Sequence, residues 1–131
     1  MKKLCVLQLD TNFPRIPGDI ACKETFLREM RLVKISGAYA KNMISGIPEN
    51  QQFLKFKTEV CKAKEPVITT SCGFTYYWQK KLSALTQSRI ITSSLTGLPR
   101  SREIYKDQEI LIFTFNASNL KPIINSTSKK P

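Results

Sequence analysis

Apolar residues occur along this chain in short continuous runs, separated by segments in which apolar residues recur at helical spacing. The runs are rich in β-branched residues and do not alternate with polar ones, which is typical of strands in a sheet that is covered on both faces. They predict five strands, at Leu4–Leu9, Leu32–Ala38, Pro66–Thr70, Arg89–Ser93 and Glu109–Phe115.

Three segments between these runs predict helices. Residues 49–63 place Phe53, Phe56 and Val60 on one face, residues 74–86 repeat the pattern, and residues 22–31 form a shorter candidate. Alternating strands and helices favour βαβ units, so we expect an α/β domain with a parallel sheet and helices on both faces.

The predicted domain covers residues 1–120, and residues 121–131 form a polar C-terminal tail. Only a short helical pattern at Leu120–Ile124 follows the fifth predicted strand. The expected domain is therefore incomplete, as if part of a longer chain.

The charge balance narrows the range of partners. The chain carries 21 Lys and Arg against 10 Asp and Glu, a net charge of +11, which suits anionic partners such as small carboxylates. The basic residues are scattered and no aromatic residues interleave with them, so we expect no specific nucleic-acid binding. No apolar run approaches the roughly 20 residues of a membrane span, and Gln8 and Asp10 interrupt the start too early for a signal peptide.

The cysteines indicate the compartment and argue against a metal. There are four, at Cys5, Cys22, Cys61 and Cys72, without a CxxC pair, and there is no histidine. We therefore expect no metal site and no disulfide framework, but reduced thiols in a cytoplasmic protein.

Polar residues follow the predicted strands where ligands bind in open parallel sheets, at the carboxyl ends. Asp10 and Thr11 follow the first strand, and Ser36 and Gly37 lie at the end of the second. The third ends in Thr70, Ser71, Cys72 and Gly73, and the fourth in Thr92, Ser93 and Ser94. These residues are expected to converge on one crevice.

Cys72 is the strongest candidate for a chemical role among these residues, because it immediately precedes a predicted helix. Free N–H groups and the partial positive charge of a helix N-terminus favour thiolate, so we expect a lowered pKa for Cys72 and faster alkylation than at the other thiols. The alternatives are structural. Cys72 can be a small buried hydrophobe, Asp10 a turn or cap residue, and Thr92 and Ser93 caps of a following turn.

Four motifs, "VLQLDTNFPRIPGD", "VKISGA", "VITTSCGF" and "IITSSL", together resemble the aspartate/glutamate racemase superfamily over residues 4 to about 118. The resemblance implies one flavodoxin-like, three-layer half of a two-half fold. It also implies proton abstraction from a small carboxylate or amino acid by cysteine, without a cofactor. Cys72 then matches the first catalytic cysteine, and Asp10 supports its thiol. The implied substrate-binding residues are Thr11, Arg15, Thr70, Ser71, Gly73, Thr92 and Ser93.

The chain departs from that family at two points. Gly73 and Phe74 stand where amino-acid racemases have Asn and Thr, and no second cysteine lies at a strand end facing Cys72. Two hypotheses follow. The chain is a racemase- or epimerase-like isomerase impaired by a missing half, or it is a non-catalytic α/β remnant or partner-binding module. A half-fold with an exposed apolar face would favour a homodimer.

Overall fold

A four-stranded parallel sheet forms the centre of the molecule. It is seen in a computed structural model that describes residues 2–127. The strands are β1 (Leu4–Gln8), β2 (Met30–Lys34), β3 (Val67–Thr70) and β4 (Arg89–Ile91), in the order β2-β1-β3-β4. All three pairings are parallel, which confirms the α/β class and the parallel sheet.

The register divides the strand residues between two faces. Cys5 pairs with Ile68, and Ile68 with Ile90, so these three side chains share one face. They belong to the larger hydrophobic cluster, whereas Val6 and Met30 belong to a separate cluster on the other face. Both sides of β1 are therefore buried, as its continuous apolar sequence predicts.

Helices and 3₁₀ turns connect and follow the strands. The α-helices are α1 (Ala40–Met43), α2 (Asn50–Lys62), α3 (Gln79–Ser83), α4 (Leu98–Ile104) and α5 (Ala117–Thr127). The 3₁₀ turns are Lys23–Thr25, Gly73–Trp78, Ser94–Gly97 and Asp107–Glu109. The helix predicted over residues 49–63 is confirmed as α2, and that predicted over 74–86 is divided into a 3₁₀ turn and α3.

The larger cluster joins α2, α3 and α5 to the sheet. Phe56 of α2 is fully buried, and its ring centroid lies 5.7 Å from that of Trp78, which Phe53 also contacts at 5.6 Å. Leu82 of α3 and Ile123 of α5 are fully buried in the same cluster. The apolar helix faces predicted from the sequence thus contribute Phe56, Val60, Phe74, Trp78 and Leu82 to this cluster.

The opposite face is covered in part by an irregular segment. Ala21 and Phe26 pack there with Val6 and Met30. The helix predicted over residues 22–31 is wrong, because only Lys23–Thr25 forms a 3₁₀ turn and Met30 already begins β2. At this position the chain covers the sheet without a regular helix.

The predicted fifth strand is also wrong. Glu109–Phe115 lies outside the sheet, and its Leu111, Phe113 and Phe115 are exposed. The boundary expected at residue 120 falls inside α5, where Leu120 and Ile123 are buried. The part of the predicted tail at 128–131 lies outside the described residues.

None of the helices in the described part of the chain combines the length and the apolar character needed to cross a membrane.

Candidate functional site

A cavity of about 890 Å³ lies at the carboxyl end of the sheet. Six of the residues singled out from the sequence line it: Thr11, Arg15, Ser71, Cys72, Gly73 and Ser93. Three others, Asp10, Thr70 and Thr92, are not among its lining residues. The crevice predicted from the strand ends therefore exists, with a smaller set of side chains than expected.

Cys72 reaches the cavity because β3 continues beyond its last paired residue. The Ser71 N–H donates to the Leu7 carbonyl at 3.0 Å, which carries the extended chain one residue further beside β1. Cys72 is itself extended and precedes the 3₁₀ turn Gly73–Trp78, whose Thr75 N–H donates to the Cys72 carbonyl at 3.1 Å. The thiol is thus fixed at a strand-to-turn junction.

The electrostatic state of Cys72 differs from the expectation. Burial raises the pKa of the Cys72 thiol, and this effect outweighs the backbone N–H groups of Phe74 and Thr75, which lower it. Only 7% of the residue is exposed. The prediction of a lowered pKa is wrong, because the sequence showed the nearby N–H groups but not the desolvation. At neutral pH the side chain is mainly a thiol.

Thr70 and Thr92 form a buried polar network beneath Cys72. The Thr70 hydroxyl oxygen lies 2.7 Å from the Thr92 carbonyl and 2.6 Å from the Thr75 hydroxyl, and it accepts the Cys72 N–H at 3.3 Å. The Gln79 side-chain oxygen accepts both the N–H and the hydroxyl of Thr92, at 2.8 and 2.6 Å. These contacts join the ends of β3 and β4 and fix the backbone of Cys72.

Asp10 holds the loop that follows β2. Its carboxylate accepts the Gly37 N–H at 2.9 Å, and its own N–H donates to the Ala38 carbonyl at 3.0 Å. Gly37 has a φ of 73°, a left-handed conformation that favours glycine. The carboxylate thus makes the contact of a turn residue, one of the alternatives expected from the sequence.

Arg15 lies on the cavity wall in a polar cluster. Its guanidinium donates to both carboxylate oxygens of Asp19 at 3.0 and 3.1 Å and to the Thr11 hydroxyl at 2.8 Å. The guanidinium carbon lies 4.0 Å from the centroid of the Phe13 ring. Arg15 Nε is buried and has no hydrogen-bond partner among the described residues.

Ser71 and Ser93 are two of the hydroxyl-bearing residues of the lining, which also include Ser94 and Thr114. Ser71 Oγ accepts the Leu9 N–H at 3.1 Å, and Ser93 Oγ accepts the Leu95 N–H at 3.2 Å. Each of these bonds uses a lone pair, so each hydroxyl keeps its proton to donate to another group. A methyl group at Gly73 would lie 3.6 Å from Ser93 Oγ, so the backbone at Gly73 runs close to this hydroxyl.

Several site residues were not found from the sequence. Asp19 carried a usable signal, since it lies four residues after Arg15 within the same motif. Thr75 and Gln79 carried none, because each looks like an ordinary helix residue until the fold brings it against Cys72 or Thr92. Within residues 2–127, no three His, Cys, Asp or Glu side chains are grouped to hold a metal ion.

The chain is similar to three curated proteins, all named as lyases. A "Dimethylsulfoniopropionate lyase" of Durusdinium sp. clade D is 30% identical over 97% of this chain and 44% of its own length. "Dimethylsulfoniopropionate lyase 3" and "Dimethylsulfoniopropionate lyase 6" of Emiliania huxleyi (strain CCMP1516) are each 30% identical over 92% of this chain and 32% of their own lengths.

The chain therefore spans less than half the length of the curated relatives it matches. No family model matches it, and no solved structure matches it significantly.

These relatives correct the assignment drawn from the motifs. The chain's matches are named lyases, so the racemase resemblance and the isomerase function inferred from it are wrong. The alternative of a non-catalytic module gains no support from them either.

Proposed function

We propose that this chain carries a lyase site that binds dimethylsulfoniopropionate and cleaves its carbon–sulfur bond. The observation that carries the proposal is the match to proteins named for that activity over at least 92% of the chain. A large cavity lined by a thiol, five hydroxyl-bearing residues and an arginine supports it.

The chemistry of this substrate needs a single base. Dimethylsulfoniopropionate has a carboxylate and a dimethylsulfonium group separated by two carbons. A base removes a proton from the carbon beside the carboxylate, and the C–H electrons form a carbon–carbon double bond. The carbon–sulfur bond breaks and its electrons leave with sulfur. The products are acrylate, neutral dimethyl sulfide and the protonated base.

Cys72 is the proposed base, acting as its thiolate. Racemisation needs a second group to return a proton to the opposite face, whereas elimination ends when the leaving group departs. One strand-end cysteine is therefore enough for a lyase. The N–H groups of Phe74 and Thr75, which lower the pKa of Cys72, would stabilise the thiolate once it forms.

The carboxylate end of the substrate is assigned to the polar lining. Ser71 and Ser93 each have a hydroxyl proton to donate, and Arg15 supplies a positive charge at the same wall. Charge-assisted hydrogen bonds to a carboxylate are shorter and stronger than neutral ones. Gly73 and Thr11 complete this end of the cavity.

Asp10, Thr70 and Thr92 are assigned as positioning residues. Thr70 and Thr92 hold the backbone of Cys72 through their buried network, and Asp10 fixes the loop after β2. They act on the site through other residues.

Two finer points rest on indirect support. We infer a flavodoxin-like strand order, because β2-β1-β3-β4 is the order in which such sheets begin. We infer a cytoplasmic location, because four unpaired cysteines suit a reducing compartment. The homodimer stays a prediction.

Headspace gas chromatography tests the function. Dimethyl sulfide should be released from dimethylsulfoniopropionate by the wild-type chain and by Cys61→Ser, whose cysteine is exposed and is not one of the cavity-lining residues. Cys72→Ser should release none above the uncatalysed rate. If the wild-type chain releases no dimethyl sulfide, or Cys72→Ser releases as much, the proposal is wrong.

A further inference from the structure

Four of the twenty residues that line the cavity are aromatic. Four of the seven phenylalanines in the chain line it: Phe13, Phe74, Phe113 and Phe115. Phe74 is buried beside Cys72, whereas Phe113 and Phe115 are 90% and 95% exposed. This set, the phenylalanine wall, combines one fixed ring beside the thiol with others that solvent reaches freely.

Within residues 2–127, Phe113 and Phe115 belong to neither hydrophobic cluster. They lie in the segment that was predicted as a strand and is not in the sheet. Large apolar rings at the mouth of a cavity lose unfavourable contact with water when a ligand binds there. Their position thus suits contact with a ligand better than contact with the core.

The charge of the lining differs from that of the molecule. The chain carries +11, yet only Arg15 and Asp19 are charged among the lining residues, and they pair with each other. A cavity for a dianion would be expected to present an excess of cations. A lining without net charge, with polar groups and phenylalanine rings, matches a zwitterion whose cationic end is apolar.

We propose that the phenylalanine wall is a subsite for a methylated onium cation, and that it holds the dimethylsulfonium end of the substrate while Cys72 faces the carbon chain. The proposal rests on the function proposed above and adds the basis of its specificity. The ring face of phenylalanine is negative and attracts cations. A sulfonium group has no N–H or O–H to donate, so aromatic faces suit it better than hydrogen-bond acceptors do.

One ring of the wall already contacts a cation. The Arg15 guanidinium carbon lies 4.0 Å from the Phe13 centroid, well within the ~6 Å at which such contacts are effective. Phe13 is therefore occupied by Arg15, and the rings left for a ligand are Phe74, Phe113 and Phe115.

Calorimetry on the Cys72→Ser protein tests the subsite without turnover. Dimethylsulfoniopropionate and 4-methylpentanoate have the same shape, but the second has a neutral C–H group in place of the sulfonium. The sulfonium compound should bind roughly 2- to 30-fold more tightly. 3-(Trimethylammonio)propionate, a different onium cation, should share the preference.

Phe113→Leu tests the wall itself. Since Phe113 is 90% exposed, its replacement should leave folding intact, which circular dichroism checks. In Phe113→Leu, the difference in binding free energy between the sulfonium compound and its neutral isostere should fall by at least half. Tyr105→Leu is the control, because Tyr105 is exposed and is not a cavity-lining residue, and it should keep the full difference.

The outcomes separate this inference from the proposed function. Equal binding of the cation and its neutral isostere, or binding of neither, overturns the subsite, as does an unchanged preference in Phe113→Leu. Cation preference in a chain that releases no dimethyl sulfide supports the subsite and overturns the lyase proposal. Dimethyl sulfide release without a preference for the cation supports the lyase proposal and overturns the subsite.

Discussion

To act as the proposed base, the thiol of Cys72 has to lose a proton in a buried environment that disfavours the thiolate. Burial raises the pKa of the thiol, and the N–H groups of Phe74 and Thr75 offset only part of that effect. A buried thiolate is also a stronger base than a solvated one, because it has lost the water that stabilised it. Burial thus lowers the fraction of Cys72 that is present as thiolate and increases the basicity of the thiolate that forms.

The rate of cleavage should therefore rise with pH. Since the pKa of Cys72 lies above that of an ordinary cysteine, about 8.5, kcat/KM should keep increasing past that pH. The initial rate of dimethyl sulfide release, corrected with Cys72→Ser for the uncatalysed reaction, measures it. A rate that reaches its plateau below pH 8 would show that the base has an unraised pKa.

Alkylation should follow exposure. Cys61 is exposed, whereas Cys5, Cys22 and Cys72 are buried, and burial raises the pKa of Cys5 to about 11. Iodoacetamide at pH 7.5, with peptide mapping, should modify Cys61 first and Cys5 among the last. Cys61→Ser should lack the fast reaction, and all four thiols should react in denaturant. Faster labelling of Cys72 than of Cys61 would restore the expectation from the sequence.

At the scale of the elements, the junction between β3, β4 and the turn after Cys72 depends on buried hydroxyls. Thr75 is fully buried, and its hydroxyl lies near the carbonyls of both Cys72 and Thr92. Removing it takes one donor out of this network, although the Thr75 N–H still bonds the Cys72 carbonyl and the Thr70 hydroxyl still lies 2.7 Å from the Thr92 carbonyl.

Thr75→Val should lower the free energy of unfolding by about 0.5–1.5 kcal/mol. Thr58→Val is the matched control, because the Thr58 hydroxyl also donates to a backbone carbonyl, at 2.9 Å, but is exposed on α2. Urea denaturation of both variants measures the difference. Equal losses of stability in the two variants would mean that the buried hydroxyl stabilises the fold no more than the exposed one does.

A second inter-element contact joins the strands on either side of β1. Arg31 of β2 donates to both carboxylate oxygens of Glu65, just before β3, at 2.6 and 3.0 Å. The Arg31 hydrogen bonds lower the pKa of Glu65 to about 2. Because the folded pKa is depressed, this stabilisation is present above the ordinary carboxyl pKa and is lost as pH falls from about 4.5 to about 2.

Glu65→Gln should cost about 2 kcal/mol at pH 7 and much less at pH 2.5. Glu59→Gln, which breaks the exposed pair of Glu59 with Lys62, should cost under about 0.5 kcal/mol at either pH. Thermal or urea unfolding at both pH values measures this. A Glu65→Gln loss that does not depend on pH would contradict the role of the ion pair.

These elements also show how far the sequence could be interpreted. Apolar runs located the four strands of the sheet, and helical spacing located α2, since both signals are local. Residues 109–115 have the same apolar pattern but lie outside the sheet. A run of apolar residues does not show which element it will pack against. The helix predicted over residues 22–31 is wrong for a related reason. Met30 pairs with Leu4 and therefore belongs to strand β2.

The sequence likewise predicted only part of the candidate site. The rule that strand ends converge located the cavity and its cysteine, whereas the direction of Asp10 and the desolvation of Cys72 depend on contacts made only after folding.

At the scale of the whole molecule, the sheet supplies a framework and its carboxyl edge supplies the chemistry. A chain with a net charge of +11 encloses a cavity whose charged lining residues, Arg15 and Asp19, cancel each other. The overall field attracts anions in general, so discrimination between small carboxylates has to come from the lining itself. The phenylalanine wall is the part of that lining suited to recognise a cation.

The central claim is that Cys72 of this chain cleaves dimethylsulfoniopropionate. Proton NMR in D₂O tests it most directly, because cleavage yields acrylate and dimethyl sulfide, whereas reversible proton abstraction yields only deuterium beside the carboxylate. The wild-type chain should yield acrylate and dimethyl sulfide in equal amounts, and Cys72→Ser should yield neither. Deuterium exchange without cleavage, or cleavage that persists in Cys72→Ser, would contradict it.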